Sequence, residues 1–305
     1  MAIVLRPENE DRTTLADFLD KLDHAIDLEE ADSLIGLAAD FRALANDPDM
    51  LPRHINAALK RLIDAKQAPV SASSIELASS KNYSLRATVW MPAATDPLAP
   101  SLHDAPCVHN HNFNVMAIGY FGPGYVTDIY AYRPNPSLCD IGERVDLRFL
   151  ERATLGRGDV IIYRESIDAH VLIPPPSVSV SMSLAIFRES TQTTDQYRFD
   201  PQSSTIAGFG ETAAILRRAS VVRLAGEIGN AETIPLLDAL LRRSKCRRVR
   251  EAAVIAASRL VVADVSDRRL LIERGSRDSD EWVRRRAKSL VADLKSSTAK
   301  KRKTS

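Results

Sequence analysis

The stretch that decides the fold lies at residues 178–187, which read VSVSMSLAIF. Apolar residues alternate with serine from Val178 to Leu184, and the run then becomes wholly apolar. Alternation with a period of two is typical of a β-strand with one face in a core. Short apolar runs separated by Gly, Pro, Asn and Asp precede it at residues 85–91, 115–121, 126–132, 148–155, 160–163 and 170–173. This pattern predicts a closed or sandwich-like β architecture across residues 68–200.

The segments on both sides of the β region have helical patterns. In residues 1–67, apolar side chains recur at spacings of three and four, as at Leu15, Phe18, Leu19 and Leu22, which indicates amphipathic helices. Residues 208–296 are also helical in pattern. Residues 297–305 are rich in lysine, and we expect a basic, disordered tail.

The C-terminal helical segment contains internal repeats. Val222-Arg223-Leu224-Ala225, Val249-Arg250-Glu251-Ala252-Ala253 and Val283-Arg284-Arg285-Arg286-Ala287 recur at offsets of 27 and 34 residues. A turn reading GNAETIPLL follows the first of them. These repeats resemble short HEAT-like helical repeats, which stack into a small α-solenoid. The resemblance implies a docking surface for a protein partner or for self-association.

Bulk composition excludes some classes of protein. The formal net charge is only +1, which makes a nucleic-acid partner unlikely on global charge, and the three cysteines, Cys107, Cys139 and Cys246, are too few and too widely spaced for a disulfide framework. There is no apolar run long enough to span a bilayer, and residues 1–12 are polar, without a signal-peptide core. We therefore expect a cytoplasmic protein with no membrane partner.

Histidines mark the candidate functional site within the β segment. His109 and His111 are two apart, so in a strand their imidazoles project from one face. His170 follows 59 residues after His111, at the start of another predicted strand. Three imidazoles suit a first-row divalent metal and leave coordination positions open for other ligands. His103 is interpreted as structural, or as a residue that supports a ligand.

The order of these residues resembles the two motifs of the cupin superfamily. His109-Asn110-His111 and Gly122 stand in the order of its first motif, and Gly158 and His170 in the order of its second. The acidic ligand usual after the second histidine is absent. The segment is in this respect similar to the thiol dioxygenases, the cysteine dioxygenase branch, whose iron is held by three histidines.

Three further points support this resemblance. Ser166-Ile167 precedes His170, as a serine-isoleucine pair precedes the third histidine in that branch. Tyr83 and Arg86 stand where the branch has a tyrosine and a carboxylate-clamping arginine, which implies that both bind substrate here. An exposed strand arginine is the alternative for Arg86. Ser183 matches the serine of the family's Ser-His-Tyr relay.

The sequence also departs from that branch. Ala185 and Phe187 occupy the relay's histidine and tyrosine positions, and Met116 stands where some members have a cross-linking cysteine. Cysteine itself is therefore not the expected substrate. Tyr163, like the other tyrosines of this segment, is interpreted as a core or rim aromatic, with proton donation as the alternative.

Together these observations predict an α+β protein. A central cupin (jelly-roll-like) β-barrel is expected between an N-terminal helical segment and a C-terminal HEAT-like α-solenoid. The resemblance implies Fe(II) held by His109, His111 and His170, with O2 as co-substrate and a small anionic, amino-acid-like molecule as substrate. Two alternatives stay open: a non-redox metal-dependent cupin, such as an isomerase or decarboxylase, and a ligand-sensing cupin that signals through the repeats.

Overall fold

The computed structural model describes residues 2–25, 27, 30–63, 74–92, 107–134, 140–210, 214–260 and 262–291. The predicted tail, His103 and Cys139 lie outside these residues. The chain forms two compact units. The first comprises residues 1–134, 144–188 and 196–208, and the second comprises residues 135–143, 189–195 and 209–305. The predicted N-terminal helical segment therefore belongs to the same unit as the β region.

The first unit is built around two antiparallel sheets. Its strands are β1 (Ile3–Leu5), β2 (Ser74–Ser79), β3 (Tyr83–Trp90), β4 (Val108–Asn110), β5 (Asn114–Phe121), β6 (Val126–Arg133), β7 (Asp146–Thr154), β8 (Val160–Tyr163), β9 (Asp168–Ile173), β10 (Ser179–Ile186), β11 (Tyr197–Asp200) and β12 (Thr205–Phe209). Sheet I has the order β1-β8-β5-β10-β3-β2, and sheet II has the order β12-β11-β4-β9-β6-β7.

The eight strands from β3 through β10 pair with one another as in a jelly roll. The first of these strands pairs with the last, β3 with β10, and the pairing continues inward through β4 with β9, β5 with β8 and β6 with β7. This is a long hairpin rolled into two Greek keys, the topology for which cupins are one example. The jelly-roll prediction is correct at this level.

The predicted closure into a barrel is wrong. No strand ladder joins sheet I to sheet II in the described ranges, so the architecture is a sandwich of two open sheets. The physical reason is that additional strands extend each sheet beyond the jelly roll. Pairing ends at β1 and β2 in sheet I and at β12 and β7 in sheet II.

The alternation in residues 178–187 places one face of β10 in a core, as the pattern predicts. Val180, Met182, Leu184 and Ile186 lie on the outer face of sheet I, in a core that also contains residues of the N-terminal helices α1 (Leu15–Ala25), α2 (Ser33–Ala45) and α3 (Met50–Ile63). A second core lies between the sheets. It combines Ala117 and Tyr163 of sheet I with Ile129 of sheet II. The inner faces of the two sheets therefore oppose each other.

The second unit is helical. Its helices are α4 (Ala214–Ile228), α5 (Thr233–Arg243), α6 (Arg247–Arg259), α7 (Val265–Gly275) and α8 (281–291). None of the helices in the described ranges is long and apolar enough to cross a membrane. The HEAT-like assignment remains a prediction from the sequence.

The structural period of this unit is 34 residues. Ile215, Val249 and Val283 occupy corresponding buried positions in α4, α6 and α8, as do Ala219, Ala253 and Ala287. Val222, from which the sequence offset of 27 was counted, lies in the middle of α4 and does not correspond to Val249 near the start of α6. The segment of α4 that corresponds to VREAA and VRRRA is residues 215–219, which read ILRRA. Leucine stands there in place of the first arginine, so the VR pattern does not identify it in the sequence.

Two arginines repeat one contact at this period. Nη1 of Arg250 donates to the carbonyl oxygens of Ser244 and Lys245. Nη1 of Arg284 donates in the same way to the carbonyl oxygens of Asp278 and Ser279. Each arginine thus closes the turn before its own helix.

We predict opposite effects for two glycine substitutions in the first unit. A Cβ on Gly119 of β5 would lie 2.1 Å from the carbonyl oxygen of Gly156, so Gly119→Ala should lower the free energy of unfolding by about 1–3 kcal/mol. Gly36 in α2 has nothing within 4 Å of its Cβ position, so Gly36→Ala should raise it by roughly 0.5–1 kcal/mol. Urea denaturation of both variants provides the measurement, and equal effects would contradict the close approach at Gly119.

Candidate metal centre

Three histidines come together on sheet II. The short strand β4 lies between β11 and β9, and its register places His109 directly opposite His170. His111 follows immediately after the end of β4. The Nε2 atom of His170 lies 3.1 Å from Nε2 of His111 and 3.1 Å from Nε2 of His109. One ring nitrogen from each histidine thus falls within a cluster less than 4.8 Å across.

The cluster faces the space between the sheets. Ile129 of β6 is directly opposite His170 in the register, and directly opposed residues share a face of a sheet. Ile129 is fully buried in the inter-sheet core. The histidines therefore project toward sheet I, into the interior of the sandwich.

The environment keeps two of the imidazoles neutral. Burial of the ring, with a smaller contribution from His109, lowers the pKa of His111 to about 3. Burial, followed by the effects of His109 and His111, also lowers the pKa of His170 well below its ordinary value. At neutral pH both rings consequently retain lone pairs for coordination.

A backbone contact sets the tautomer of His109. Its Nδ1 lies 3.1 Å from the carbonyl oxygen of Cys107, and because a carbonyl can only accept, Nδ1 carries a proton. The Nε2 lone pair is then directed at the other histidines. Such a hydrogen bond to the remote nitrogen is the usual support of a metal-binding histidine. Nδ1 of His170 is buried without a hydrogen-bond partner in the described structure.

Buried polar side chains position the ligands. The carboxylate of Asp168, fully buried at the start of β9, accepts from the backbone and guanidinium of Arg164, which closes the turn before His170. Within this turn the backbone N–H of Ser166 donates to the carbonyl of His111 at 2.8 Å. Oδ1 of Asn110 accepts from the backbone N–H of Tyr197 at 2.7 Å, which joins β4 to β11.

These supports were not predicted from the sequence. Asp168 offered a signal, because a carboxylate two residues before His170 in an otherwise apolar run requires a buried partner. Asn110 offered a weaker one, because strand alternation places it only on the face opposite to the histidines.

Aromatic rings line the histidine cluster. The centroid of the Tyr163 ring lies 4.0 Å from that of His170, and the Phe113 ring lies 5.0 Å from that of His111. Phe113 also contacts the ring of Phe187. The hydroxyl of Tyr163 donates to Oγ1 of Thr127, and burial raises the pKa of the phenol. Tyr163 is thus a neutral wall residue beside the third histidine.

The two predicted substrate-binding residues diverge. Tyr83 is buried in the core beneath the N-terminal helices, on the same face of β3 as Leu85 and Ala87. Arg86 lies on the other face, is exposed, and bonds Oγ of Ser84 through Nε. Residues three apart in a strand point to opposite faces, so one clamp cannot include both. Ser183 pairs directly with Arg86 and therefore shares its inner face.

A second arginine lies much closer to the ligands in the register. Arg198 of β11 is directly opposite His109 of β4, on the same face of sheet II. Sequence reasoning missed it, because the last strand predicted from the sequence was that at residues 178–187. The alternation of buried Tyr197 and Phe199 with half-buried Arg198 could have indicated this strand.

The histidine set fits a divalent metal ion. Nitrogen ligands about 2.0–2.1 Å from a common ion lie roughly 2.9–3.4 Å from one another, depending on the coordination geometry. The two measured Nε2 separations of 3.1 Å fall within this range. Inward-facing imidazoles are donors that first-row transition metals prefer.

Comparisons with known proteins give only remote likenesses. No family model matches the chain. No curated protein matches it. Similar solved structures include a salicylate 1,2-dioxygenase from Pseudaminobacter salicylatoxidans, which is 10% identical at a TM-score of 0.25 over 45% of this chain and 33% of that one.

Two other similar structures are of different kinds. A structure of DMSP lyases is 10% identical at a TM-score of 0.24, over 37% of this chain and 46% of that one. A cupin domain from Bordetella pertussis Tohama I is 11% identical at a TM-score of 0.22, over 40% of this chain and 99% of that one. The chain thus spans well under two thirds of the dioxygenase and the lyase. The histidine cluster itself is the basis for the functional proposal that follows.

We predict that the three histidines hold one metal ion per chain. Because each supplies one nitrogen, His109→Ala, His111→Ala or His170→Ala should each greatly reduce metal content while the chain stays folded. Metal analysis by mass spectrometry, with circular dichroism for folding, provides the measurement. His24→Ala is a matched control, because His24 is an exposed histidine of α1. Full metal occupancy in His170→Ala would overturn the assignment.

Proposed function

We propose that this protein is a mononuclear non-haem iron(II) oxygenase that acts with O2 on a small anionic, amino-acid-like substrate. The observation that supports it most is the convergence of three Nε2 atoms from His109, His111 and His170 on the inner face of the sandwich. The cluster, as described, is made of imidazoles alone.

The charge of this ligand set favours an anionic substrate. Three neutral imidazoles leave the double charge of iron(II) uncompensated, whereas a set of two histidines and one carboxylate cancels part of it. A substrate that brings its own negative donor supplies the missing charge. The same argument disfavours 2-oxoglutarate enzymes, which normally present a carboxylate ligand.

The residues around the cluster have distinct tasks in this proposal. His109 is oriented by the Cys107 carbonyl, and the turn at Asp168 holds His170 in position. Tyr163 and Phe113 enclose the histidines with aromatic surface, which limits access of water. The bound metal would supply adjacent coordination positions that bring substrate and oxygen together.

The aromatic wall also bears on substrate identity. Phe187 contacts Phe113, which contacts His111, so a phenyl ring without a hydroxyl stands close to the site where the thiol dioxygenases have a tyrosine. The relay that processes cysteine in that branch lacks its tyrosine and its histidine here. We therefore propose an anionic substrate other than cysteine, processed in the cytoplasm, where iron(II) is available.

Oxygen consumption tests the proposal. Protein purified without oxygen and loaded with iron(II) should consume O2 when supplied with the correct small carboxylic acid, and protein loaded with zinc should not. An oxygen electrode with a panel of amino, hydroxy and thiol acids provides the measurement, and His170→Ala loaded in the same way is the control.

Other outcomes of the same screen identify other functions. Substrate conversion without oxygen uptake, supported equally by zinc, manganese or nickel, would indicate an isomerase or decarboxylase. Tight ligand binding without conversion under any metal would indicate a sensor. Either outcome contradicts oxygenase activity.

We further propose that the second unit is a HEAT-like module for docking or self-association. A helical repeat cannot bury its apolar face alone, and the 34-residue periodicity of buried positions in α4, α6 and α8 agrees with stacked repeats. Exposed apolar side chains on its helices, including Val221, Leu224, Ile228 and Leu236, offer surface for a partner or a second copy.

A truncation tests the separation of tasks. A chain that ends near Gly208 should keep its metal and its oxygen consumption, because the described metal centre is made entirely of residues of the first unit. It should lose any self-association seen for the full chain in sedimentation analysis. Retention of the metal with complete loss of oxygen consumption would instead show that the module takes part in the chemistry.

A further inference from the structure

The charge of the metal centre calls for an anion-binding side chain, and two arginines of the inner faces are candidates. Arg86 belongs to sheet I and Arg198 to sheet II, the sheet that carries the histidines. Their positions differ in register and burial, and these differences favour Arg198.

The register brings Arg198 next to a ligand. It is directly opposite His109, and side chains at directly opposed positions of antiparallel strands have Cβ atoms about 4.5–5.5 Å apart. Asn110 accepts from the backbone of Tyr197, the residue before Arg198, so β11 is tied to β4 at this point. The histidine and the arginine therefore hold a fixed relation on the same face.

The flanking residues support the inward direction of Arg198. Tyr197 and Phe199 are buried, and both contact the ring of Tyr132, so their side chains occupy the opposite face of β11. Arg198 is half-buried, which indicates that part of its side chain lies against protein. A half-buried guanidinium strengthens an interaction with a carboxylate, because water screens it less.

Arg86 has a less suitable position. It is exposed, and it belongs to sheet I, whereas the three histidines lie on sheet II. The register therefore places no ligand directly opposite Arg86.

We infer that Arg198 binds the carboxylate of the substrate while the substrate's second donor occupies the metal held by His109, His111 and His170. This inference rests on the proposed metal-dependent function. The planar guanidinium matches a carboxylate with two parallel hydrogen bonds, so Arg198 selects a small carboxylic acid with a second donor group. Arg198 is in this sense a specificity-determining residue of the site.

Binding of a probe anion to the cobalt(II)-loaded full chain tests the inference without turnover. Glycolate has a carboxylate and a hydroxyl donor, and glycolamide has the same size without the charge. Glycolate should shift the visible spectrum of bound cobalt(II) in the wild type. In Arg198→Met its affinity should fall at least about 30-fold, the usual effect of removing one partner of a buried charged pair. Arg198→Lys, which keeps the positive charge, should retain part of the glycolate affinity that Arg198→Met loses.

Matched controls separate binding from structure. Glycolamide should bind the wild type and Arg198→Met equally weakly, because it lacks the carboxylate. Arg12→Met removes the same charge from an exposed position before α1 and should leave glycolate affinity unchanged. Cobalt stoichiometry and the unfolding midpoint should be the same in wild type and Arg198→Met. If Arg198 had only a structural role, the substitution would lower the cobalt stoichiometry and the unfolding midpoint together with the glycolate affinity.

Several results would overturn the inference. An unchanged glycolate affinity in Arg198→Met would reject it and leave the metal centre standing. A loss in Arg86→Met but not in Arg198→Met would assign the carboxylate to Arg86. Failure of glycolate to perturb the wild-type spectrum would reject the predicted substrate class. Failure of the wild type to bind cobalt(II) would reject the metal centre itself, and the inference with it.

Discussion

The candidate site depends on the register of one three-residue strand. β4 pairs with β9 on one side and with β11 on the other, and this register places His109 opposite both His170 and Arg198. A slip of one residue would turn His109 away from the space between the sheets. The hydrogen bond from the Tyr197 backbone to Asn110 opposes such a slip, because the Asn110 side chain is buried and accepts it at one register only.

Much of this arrangement could be predicted from the sequence, for identifiable reasons. The period of two in residues 178–187 predicts a strand with one face in a core, and the spacing of His109 and His111 predicts imidazoles on one side of the chain. What could not be predicted depends on contacts between distant segments. The pairing of His109 with Arg198 spans 89 residues, the faces of Tyr83 and Arg86 depend on which side the helices cover, and barrel closure depends on the strands added at the sheet edges.

Several arginines of the second unit lie inside the fold. Arg248 is buried, pairs with Asp195 and lies over the rings of Phe209 and Trp282. Arg250 is largely buried against Asp278. Such arginines are part of the internal packing, and removing one would leave a buried carboxylate without its partner. Part of the positive charge of the second unit is thus neutralised by carboxylates inside the fold.

The assembled state of the histidine cluster has a consequence for metal selection. The nitrogens already converge in the folded chain, so an incoming ion gains coordination with little rearrangement of the protein. Neutral imidazoles rank divalent first-row ions by the Irving–Williams order, in which copper and zinc exceed iron. The identity of the resident ion is therefore decided by the relative supply of metals where the chain folds, and only secondarily by the fold.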